Sequence, residues 1–217
     1  MTDFATRRMM MVDTQVRPSD VTKFPILDAM LNVPRELFVP TAMIEAAYVG
    51  ETLEIAPGRV LLEPRTLAKM LDGLDLQGNE LVLDIGAGLG YSSAVMARLA
   101  EAVIAVEPDE SLAKDAEAAL EAAGASNVVV ERQALAEGAP RHGPYDAIVV
   151  QGGVETFPPA LEDQLKEGGR VMAVFMDGAL GVVRVGVKRQ GAIRWMDAFN
   201  AAAPVLEGFG KEKAFAL

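Results

Sequence analysis

The sequence predicts an α/β fold with a doubly wound, mostly parallel sheet, a C-terminal antiparallel hairpin and an N-terminal helical extension. Three observations lead to this prediction. From residue 80 onward, short apolar runs alternate with helical patterns, as strands and helices do in a parallel sheet. The runs are continuously apolar and rich in β-branched residues, which is typical of strands buried on both faces. Residues 1–60 instead carry five prolines and no strong strand pattern.

The first 60 residues are predicted to form short helices. They are placed near residues 3–16, 25–33 and 40–47. Pro34 and Pro40 separate them, because proline fixes φ and disfavours a helical conformation at the residue before it. Pro57-Gly58 predicts a turn. We therefore expect an N-terminal helical cap of residues 1–60 on a main domain of residues 61–217.

The main domain is predicted to open with a helix and then to alternate. The helix begins at Pro64, since proline suits the first helical turn, and Leu67, Leu71 and Leu74 fall on one face that is expected in the core. Strands are predicted at residues 81–83, 102–106, 128–130, 147–150 and 171–175. Helices are predicted at residues 91–100, 109–123 and 158–166. The last two strands, an antiparallel hairpin, are predicted at residues 180–188 and 192–199.

Composition and charge argue against several classes of protein. Of the 217 residues, 51% are apolar and 24% are charged, the profile of a globular chain. The absence of cysteine excludes disulfides, thiolate metal sites and a cysteine nucleophile. The longest strictly apolar run, residues 171–176, is far shorter than the roughly 20 residues that a membrane-spanning helix needs. The net charge of −11 argues against nucleic acid as a partner, because phosphates require a basic face.

The N-terminal residues also bear on location. Asp3 and the pair Arg7-Arg8 stand where the apolar segment of a secretory signal would have to start. Together with the absence of cysteine, this leads us to expect a cytoplasmic protein. No basis for an oligomeric state is found in the sequence.

The motif that carries chemistry is D-I-G-A-G-L-G-Y, residues 84–91, between a predicted strand and a predicted helix. Its three glycines let the backbone turn tightly and let a ligand approach closely. Doubly wound folds bind nucleotides over such loops, at the carboxyl ends of the strands. The third glycine comes one residue earlier than in the dinucleotide fingerprint, and Tyr91 stands in its place. The pattern D-x-G-x-G-x-G is the one used for S-adenosylmethionine, whose charged amino acid end suits Asp84.

A second acidic residue supports this ligand. The predicted strand 102–106 is followed by Glu107, roughly 20 residues after Asp84, the spacing of a ribose-binding acid. A carboxylate there can accept both hydroxyl protons of a ribose. The motif and Glu107 together predict a site for S-adenosylmethionine, with S-adenosylhomocysteine as its product.

Several segments, in the same order along the chain, resemble the protein-L-isoaspartate O-methyltransferases. They are M-V-D-T-Q-V-R (11–17), V-P-R-E-L-F-V-P (33–40), Tyr48, the glycine motif with Tyr91, P-Y-D-A-I-V-V (144–150), P-A-L-E-D-Q-L (159–165) and G-G-R (168–170). The resemblance implies a Rossmann-like class I methyltransferase fold. It also implies methyl transfer from S-adenosylmethionine to isoaspartyl carboxylates of damaged proteins, so that the partner is a protein or peptide carboxylate. The cofactor contacts expected from the motifs and the resemblance are Asp84, Gly86, Ala87, Gly88, Gly90, Tyr91, Glu107, Pro108, Ala134, Leu135 and Gln151.

The chain departs from the family on the substrate side. The family motif G-x-x-T-I-S-x-P places Thr and Ser in the active site, whereas Val60 and Leu62 stand at those positions here, followed by Glu63. The family's G-D-G after the third strand is Q-A-L at residues 133–135, and its T-A-A after the fourth is Q-G-G at residues 151–153. The catalytic residues are therefore left unassigned. Glu63 is expected to be a solvated residue before a helix.

Two functions remain open from the sequence. A carboxylate nucleophile is already ionised at neutral pH, so methyl transfer needs no strong base, in agreement with a chain whose only histidine is His142. The alternative is a cofactor-binding homologue with a different carboxylate substrate or with no catalytic activity. The glycine spacing argues against a nicotinamide oxidoreductase. A nucleic-acid N-methyltransferase lacks its Asn/Asp-Pro-Pro-aromatic motif, and no metal site is expected.

Overall fold

Residues 3–211 are described in the structure, a computed structural model of the chain. Seven strands form one mixed sheet, and two more form a separate hairpin. The hairpin consists of β1 (Leu53–Ala56) and β2 (Arg59–Leu61). The sheet strands are β3 (Leu81–Ile85), β4 (Ala102–Val106), β5 (Val128–Glu131), β6 (Tyr145–Val154), β7 (Leu165–Asp177), β8 (Leu180–Arg189) and β9 (Ala192–Asn200).

Helices connect the strands and build the N-terminal part of the chain. The α-helices are α1 (Phe4–Met11), α2 (Phe24–Asn32), α3 (Pro64–Leu74), α4 (Tyr91–Met96), α5 (Glu110–Ala122) and α6 (Pro159–Gln164). A π-helix, Val12–Val16, continues α1, and short 3₁₀ helices follow at Arg17–Ser19, Arg35–Phe38 and Thr41–Ala46. In residues 3–211, no helix is both long enough and apolar enough to cross a membrane.

The sheet has the order β5-β4-β3-β6-β7-β8-β9. Strands β3 to β7 pair in parallel, whereas β8 and β9 each run antiparallel to the strand before them. The doubly wound, mostly parallel sheet with a C-terminal antiparallel hairpin is therefore confirmed. Because β3 pairs with both β4 and β6, the chain reverses its winding there, and the carboxyl ends of these three strands meet at one edge.

Both faces of the sheet are covered. Val82 and Leu83, neighbours in β3, belong to two different buried clusters, as alternation along a strand requires. One cluster joins the sheet to the N-terminal helices and to α3, whose predicted leucine face is buried. The other cluster lies against α6 and the residues that follow β9.

The sequence prediction differs from the structure in several places. Strand β6 continues to Val154, past the predicted end at residue 150, and β7 begins at Leu165, where a helix was predicted through residue 166. The hairpin β1–β2 was not predicted, and in it Leu61 pairs with Leu53. The proposed division at residue 60 stays a prediction.

Helix α4 ends at Met96 rather than at residue 100. The side-chain amide of Asn127 donates to the carbonyls of residues 97, 100 and 101. It thereby provides a donor for backbone acceptors that follow the end of the helix.

Candidate functional site

The predicted glycine motif forms a tight turn between β3 and α4, which we call the glycine loop (residues 86–90). Its glycines at 86, 88 and 90 have φ of 75°, 56° and 91°. Side chains with a Cβ rarely adopt this conformation, which explains why glycine occupies all three positions. The amides of Gly86 and Ala87 donate to the carbonyl of Val106 at 3.0 and 3.3 Å. The loop is thereby fixed against the end of β4.

Asp84 lies under the glycine loop and is fully buried. Its carboxylate accepts hydrogen bonds from the hydroxyls of Ser92 and Ser93, both at 2.6 Å, and from the amide of Gln151 at 2.8 Å. Burial raises the pKa of Asp84, and these three hydrogen bonds act in the opposite direction. The structure therefore unites two predicted site residues, Asp84 and Gln151. It also brings Ser92 and Ser93 to Asp84. In the sequence, only their place directly after the glycine motif pointed to them.

Glu107 lies beside the glycine loop at the end of β4, with no exposed surface. Its carboxylate accepts the amide protons of Gly88 and Asp109, both at 3.1 Å. It also accepts the Nε proton of Arg59 at 3.0 Å, in an ion pair that is almost wholly buried. Arg59 comes from β2 and was missed by the sequence reasoning. The available signal was a single cation directly before Val60, the first altered position of the substrate motif.

Three side chains from two segments lie over the glycine loop or over Glu107 beside it: Ile55, Arg59 and Leu206, which we call the cover. A Cβ added to Gly88 would lie 2.7 Å from Cδ1 of Ile55, and one added to Gly86 would lie 3.2 Å from Cδ1 of Leu206. Both contacts show how closely the cover packs on the loop. Reaching the glycines and Glu107 therefore requires the cover to move.

Gly152 and Gly153, which replace the family's alanines, leave room for the second segment of the cover, residues 203–206. A Cβ on Gly152 would meet Cγ of Leu206 at 2.6 Å, and one on Gly153 would meet the carbonyl oxygen of Ala203 at 2.5 Å. Gly153 instead donates its amide proton to the carbonyl of Pro204 at 2.7 Å and accepts from the amide of Leu206 at 2.9 Å. The Q-G-G sequence thus lets residues 203–206 cross the sheet edge beside the loop.

The positions of the family's Thr and Ser belong to the core in this chain. Val60 and Leu62 are buried in the same cluster as the N-terminal helices. The carbonyl of Leu62 accepts from Nη2 of Arg35 at 2.8 Å, so the backbone here is fixed from the N-terminal side. Glu63 precedes α3 and accepts from the hydroxyl of Thr66 at 2.6 Å. Neither position of the motif offers a hydroxyl.

The remaining predicted residues are distributed differently. Pro108 and Ala134 are exposed in the loops after β4 and β5, whereas Leu135 is buried in the second core cluster. His142 contacts Glu131 at 2.8 Å, in a loop that also contains Arg141. Across residues 3–211, no three His, Asp or Glu side chains gather in a way that could hold a metal ion.

The carboxylate of Glu107 and the bare backbone of the glycine loop fit a nucleoside ligand. Glu107 accepts the N–H of Arg59, and the hydroxyls of a ribose could take the same place because they too are donors. The glycine loop presents backbone without side chains next to this carboxylate. S-adenosylmethionine therefore suits these residues once Arg59 and the rest of the cover have shifted.

Comparison with known proteins identifies the family. A sequence profile described as Protein-L-isoaspartate(D-aspartate) O-methyltransferase (PCMT) matches residues 7–200. Protein-L-isoaspartate O-methyltransferase 1 of Rhodopseudomonas palustris (strain HaA2) is 42% identical over 171 residues, covering 79% of this chain and 70% of the relative. Protein-L-isoaspartate O-methyltransferase of Syntrophus aciditrophicus (strain SB) is 40% identical over 169 residues, covering 78% of each chain.

Solved structures agree with this assignment. A protein-L-isoaspartate O-methyltransferase matches with a TM-score of 0.82 at 25% identity, over 93% of this chain and 66% of that one. A Plasmodium falciparum homologue, solved in complex with S-adenosyl-L-homocysteine, shares the fold with a TM-score of 0.79 at 18% identity, over 95% of this chain and 99% of that one. On the profile match and the identity to curated relatives, the chain belongs to the protein-L-isoaspartate(D-aspartate) O-methyltransferase family.

Proposed function

We propose that this chain transfers the methyl group of S-adenosylmethionine to the carboxylate of L-isoaspartyl residues in proteins, the activity for which its family is named. The observation that carries the proposal is the contact of Glu107 with the amide of Gly88 at 3.1 Å. It places a buried carboxylate directly against the glycine loop, at the edge where parallel α/β sheets bind nucleotides.

Each part of the site has a role in this proposal. Glu107 would hold the ribose, and Asp84, fixed by Gln151, would support the amino acid end of the cofactor. The backbone of the glycine loop would lie against it, and Pro108, Ala134 and Leu135 belong to the loops that would flank its base. When bound, S-adenosylmethionine supplies the electrophilic methyl of a sulfonium, whose charge and that of the carboxylate cancel as the ester forms.

The chain needs to position this substrate more than to activate it. A carboxylate with an ordinary pKa of about 4 is ionised at neutral pH, so no general base is required. Ile55 and Leu206 present apolar surface over the glycine loop, and they would exclude water once the cover closes again. We assign the N-terminal cap of residues 1–60 to shaping the substrate side, and we place the protein, which has no cysteine, in the cytoplasm.

Transfer of labelled methyl from S-adenosylmethionine to an isoaspartyl peptide tests the proposal, with the corresponding aspartyl peptide as control. We expect base-labile methyl ester on the isoaspartyl peptide alone. Binding of S-adenosylhomocysteine, measured by calorimetry, tests the site itself. Glu107→Gln should weaken this binding at least about tenfold, because it removes a charged acceptor of hydrogen bonds.

Glu110→Gln is the matched control, since Glu110 is a nearby surface carboxylate whose side chain is 84% exposed. It should leave the affinity for S-adenosylhomocysteine unchanged. A wild-type protein that binds no S-adenosylhomocysteine would contradict the proposal.

A second function, cofactor binding without turnover on isoaspartyl residues, is favoured by one observation. Val60 and Leu62 are buried in the core and offer no hydroxyl to a substrate. Wild-type protein that binds S-adenosylhomocysteine but forms no ester on the isoaspartyl peptide would support this alternative. Any methyl ester on that peptide would exclude it.

A further inference from the structure

We infer that Arg59 is the residue that binds the substrate carboxylate, and that Glu107 keeps it paired until the ribose of the cofactor takes Glu107 in its place. This inference rests on the proposed methyl transfer, and it names the group that replaces the missing Thr and Ser. Its starting point is the buried ion pair between the two residues.

The ion pair leaves part of the guanidinium available. Nε of Arg59 donates to both oxygens of Glu107, at 3.0 and 3.2 Å, and Nη1 donates to the carbonyl of Gly58 at 3.2 Å. Within residues 3–211, Nη2 has no hydrogen-bond partner, and it is not among the wholly buried unpaired atoms. One edge of the guanidinium fork is therefore open to a further acceptor.

Cofactor binding would change the partner of Arg59. Two ribose hydroxyls and the amides of Gly88 and Asp109 would together supply four donors to Glu107, about the number that a carboxylate can accept. Arg59 would then be an almost buried cation without its anion, which is strongly unfavourable. A substrate carboxylate restores the pair, and arginine binds carboxylates through two parallel hydrogen bonds.

The position of Arg59 along the chain fits this role. It directly precedes Val60, the first of the two positions that have lost the family's hydroxyls. Arg65, the next cation along the chain, pairs with Glu63 and is 41% exposed. The chain as a whole carries a net charge of −11, so an anionic substrate needs a local cation to enter this site.

An order of binding follows. Without the cofactor, Glu107 holds Nε and neutralises the guanidinium, so a carboxylate peptide can reach only Nη2, beside a carboxylate of its own charge. With the cofactor bound, the guanidinium is released beside it. The peptide should therefore bind after the cofactor.

Calorimetry with S-adenosylhomocysteine and an isoaspartyl peptide tests the inference without turnover. The wild-type protein should bind the peptide only when S-adenosylhomocysteine is present. Arg59→Gln should bind S-adenosylhomocysteine at least about tenfold more tightly, because Glu107 is free. Its affinity for the peptide should fall by a similar factor or more. Arg59→Lys, which keeps the charge but not the fork, should retain weakened peptide binding.

Arg65→Gln is the matched control, because it removes the same charge six positions along the chain from a partly exposed pair. It should leave both affinities at their wild-type values. Equal affinity of wild type and Arg59→Gln for S-adenosylhomocysteine would overturn the inference while leaving the proposed function in place. Retained peptide binding by Arg59→Gln, or wild type that binds S-adenosylhomocysteine but never the peptide, would overturn it too. If neither protein binds S-adenosylhomocysteine, the proposed function and the inference fall together.

Discussion

The guanidinium of Arg35 lies over the ring of Tyr91, 4.6 Å from its centroid, and joins the N-terminal part of the chain to the first residue of α4. Burial lowers the pKa of Arg35 and raises that of Tyr91, and each side chain opposes the effect on the other. Nε of Arg35 donates to the carbonyl of Ala47 at 2.7 Å, and Nη2 donates to that of Leu62. One side chain thus fixes three segments around the glycine loop.

Replacing Arg35 with methionine should destabilise the protein by about 2–5 kcal/mol, because two buried carbonyls lose their donors. The midpoint of chemical unfolding measures this loss. Arg98→Met is the control, since Arg98 pairs with Asp28 on the surface at 3.4 Å and should change stability by less than about 1 kcal/mol. Equal effects of the two substitutions would contradict the role of Arg35.

Gly88→Ala should destabilise more than Gly58→Ala. Both glycines have positive φ, 56° and 69°, but only Gly88 has a close neighbour, Cδ1 of Ile55. The unfavourable backbone should cost about 1–2 kcal/mol at each position, and turning the end of the Ile55 side chain out of the way about 0.5–1.5 kcal/mol more at Gly88. Thermal unfolding measures the difference. Adding Ile55→Val to Gly88→Ala removes the clashing methyl and should recover part of the loss; no recovery would show that the contact is not the cause.

Leu62→Ser, which restores the family's hydroxyl, should lower the free energy of unfolding by about 2–5 kcal/mol, because the smaller side chain leaves a cavity in the core. Leu62 is 2% exposed, whereas Leu180 is 77% exposed. Leu180→Ser should therefore have almost no effect on the unfolding midpoint. A stable Leu62→Ser protein would mean that the motif is open to substrate after all.

Glu131 at the end of β5 should contribute a pH-dependent part of the stability. The hydrogen bond from Arg141 lowers the pKa of Glu131 below its ordinary 4.5; burial opposes this, and His142 adds to it. Because the folded pKa is the lower one, the contribution is fully present above pH 4.5 and is lost as the pH falls through the folded value. The difference in unfolding free energy between wild type and Glu131→Gln, measured against pH, should shrink below pH 4.5. Glu110→Gln, which removes a carboxylate whose side chain is 84% exposed, is the control for the loss of one charge.

The strands and the glycine loop could be predicted because their signals are local. Apolar runs mark β3, β4 and β6, and the glycines stand where the backbone needs positive φ. The turn between β8 and β9 is a similar case, since Gln190 and Gly191 both have positive φ, as a two-residue hairpin turn requires.

The cover could not be predicted, because its contacts join distant parts of the chain. Arg59 and Glu107 are 48 residues apart, and no periodicity connects them. The hairpin β1–β2 is too short for a clear alternation, and its strands of four and three residues pair only with each other. The crossing of residues 203–206 depends on the absence of side chains at Gly152 and Gly153, which read in the sequence merely as a departure from the family.

The placement of Leu206 over Gly86 and Gly152 has a consequence for how the protein is made. During synthesis, every strand of the sheet leaves the ribosome before residues 203–206 do, and N-terminal regions generally begin folding first. Until residues 203–206 have been made, only the hairpin side of the cover can be in place. The last side chain to close over the glycine loop thus comes from a segment that follows the whole sheet in the chain.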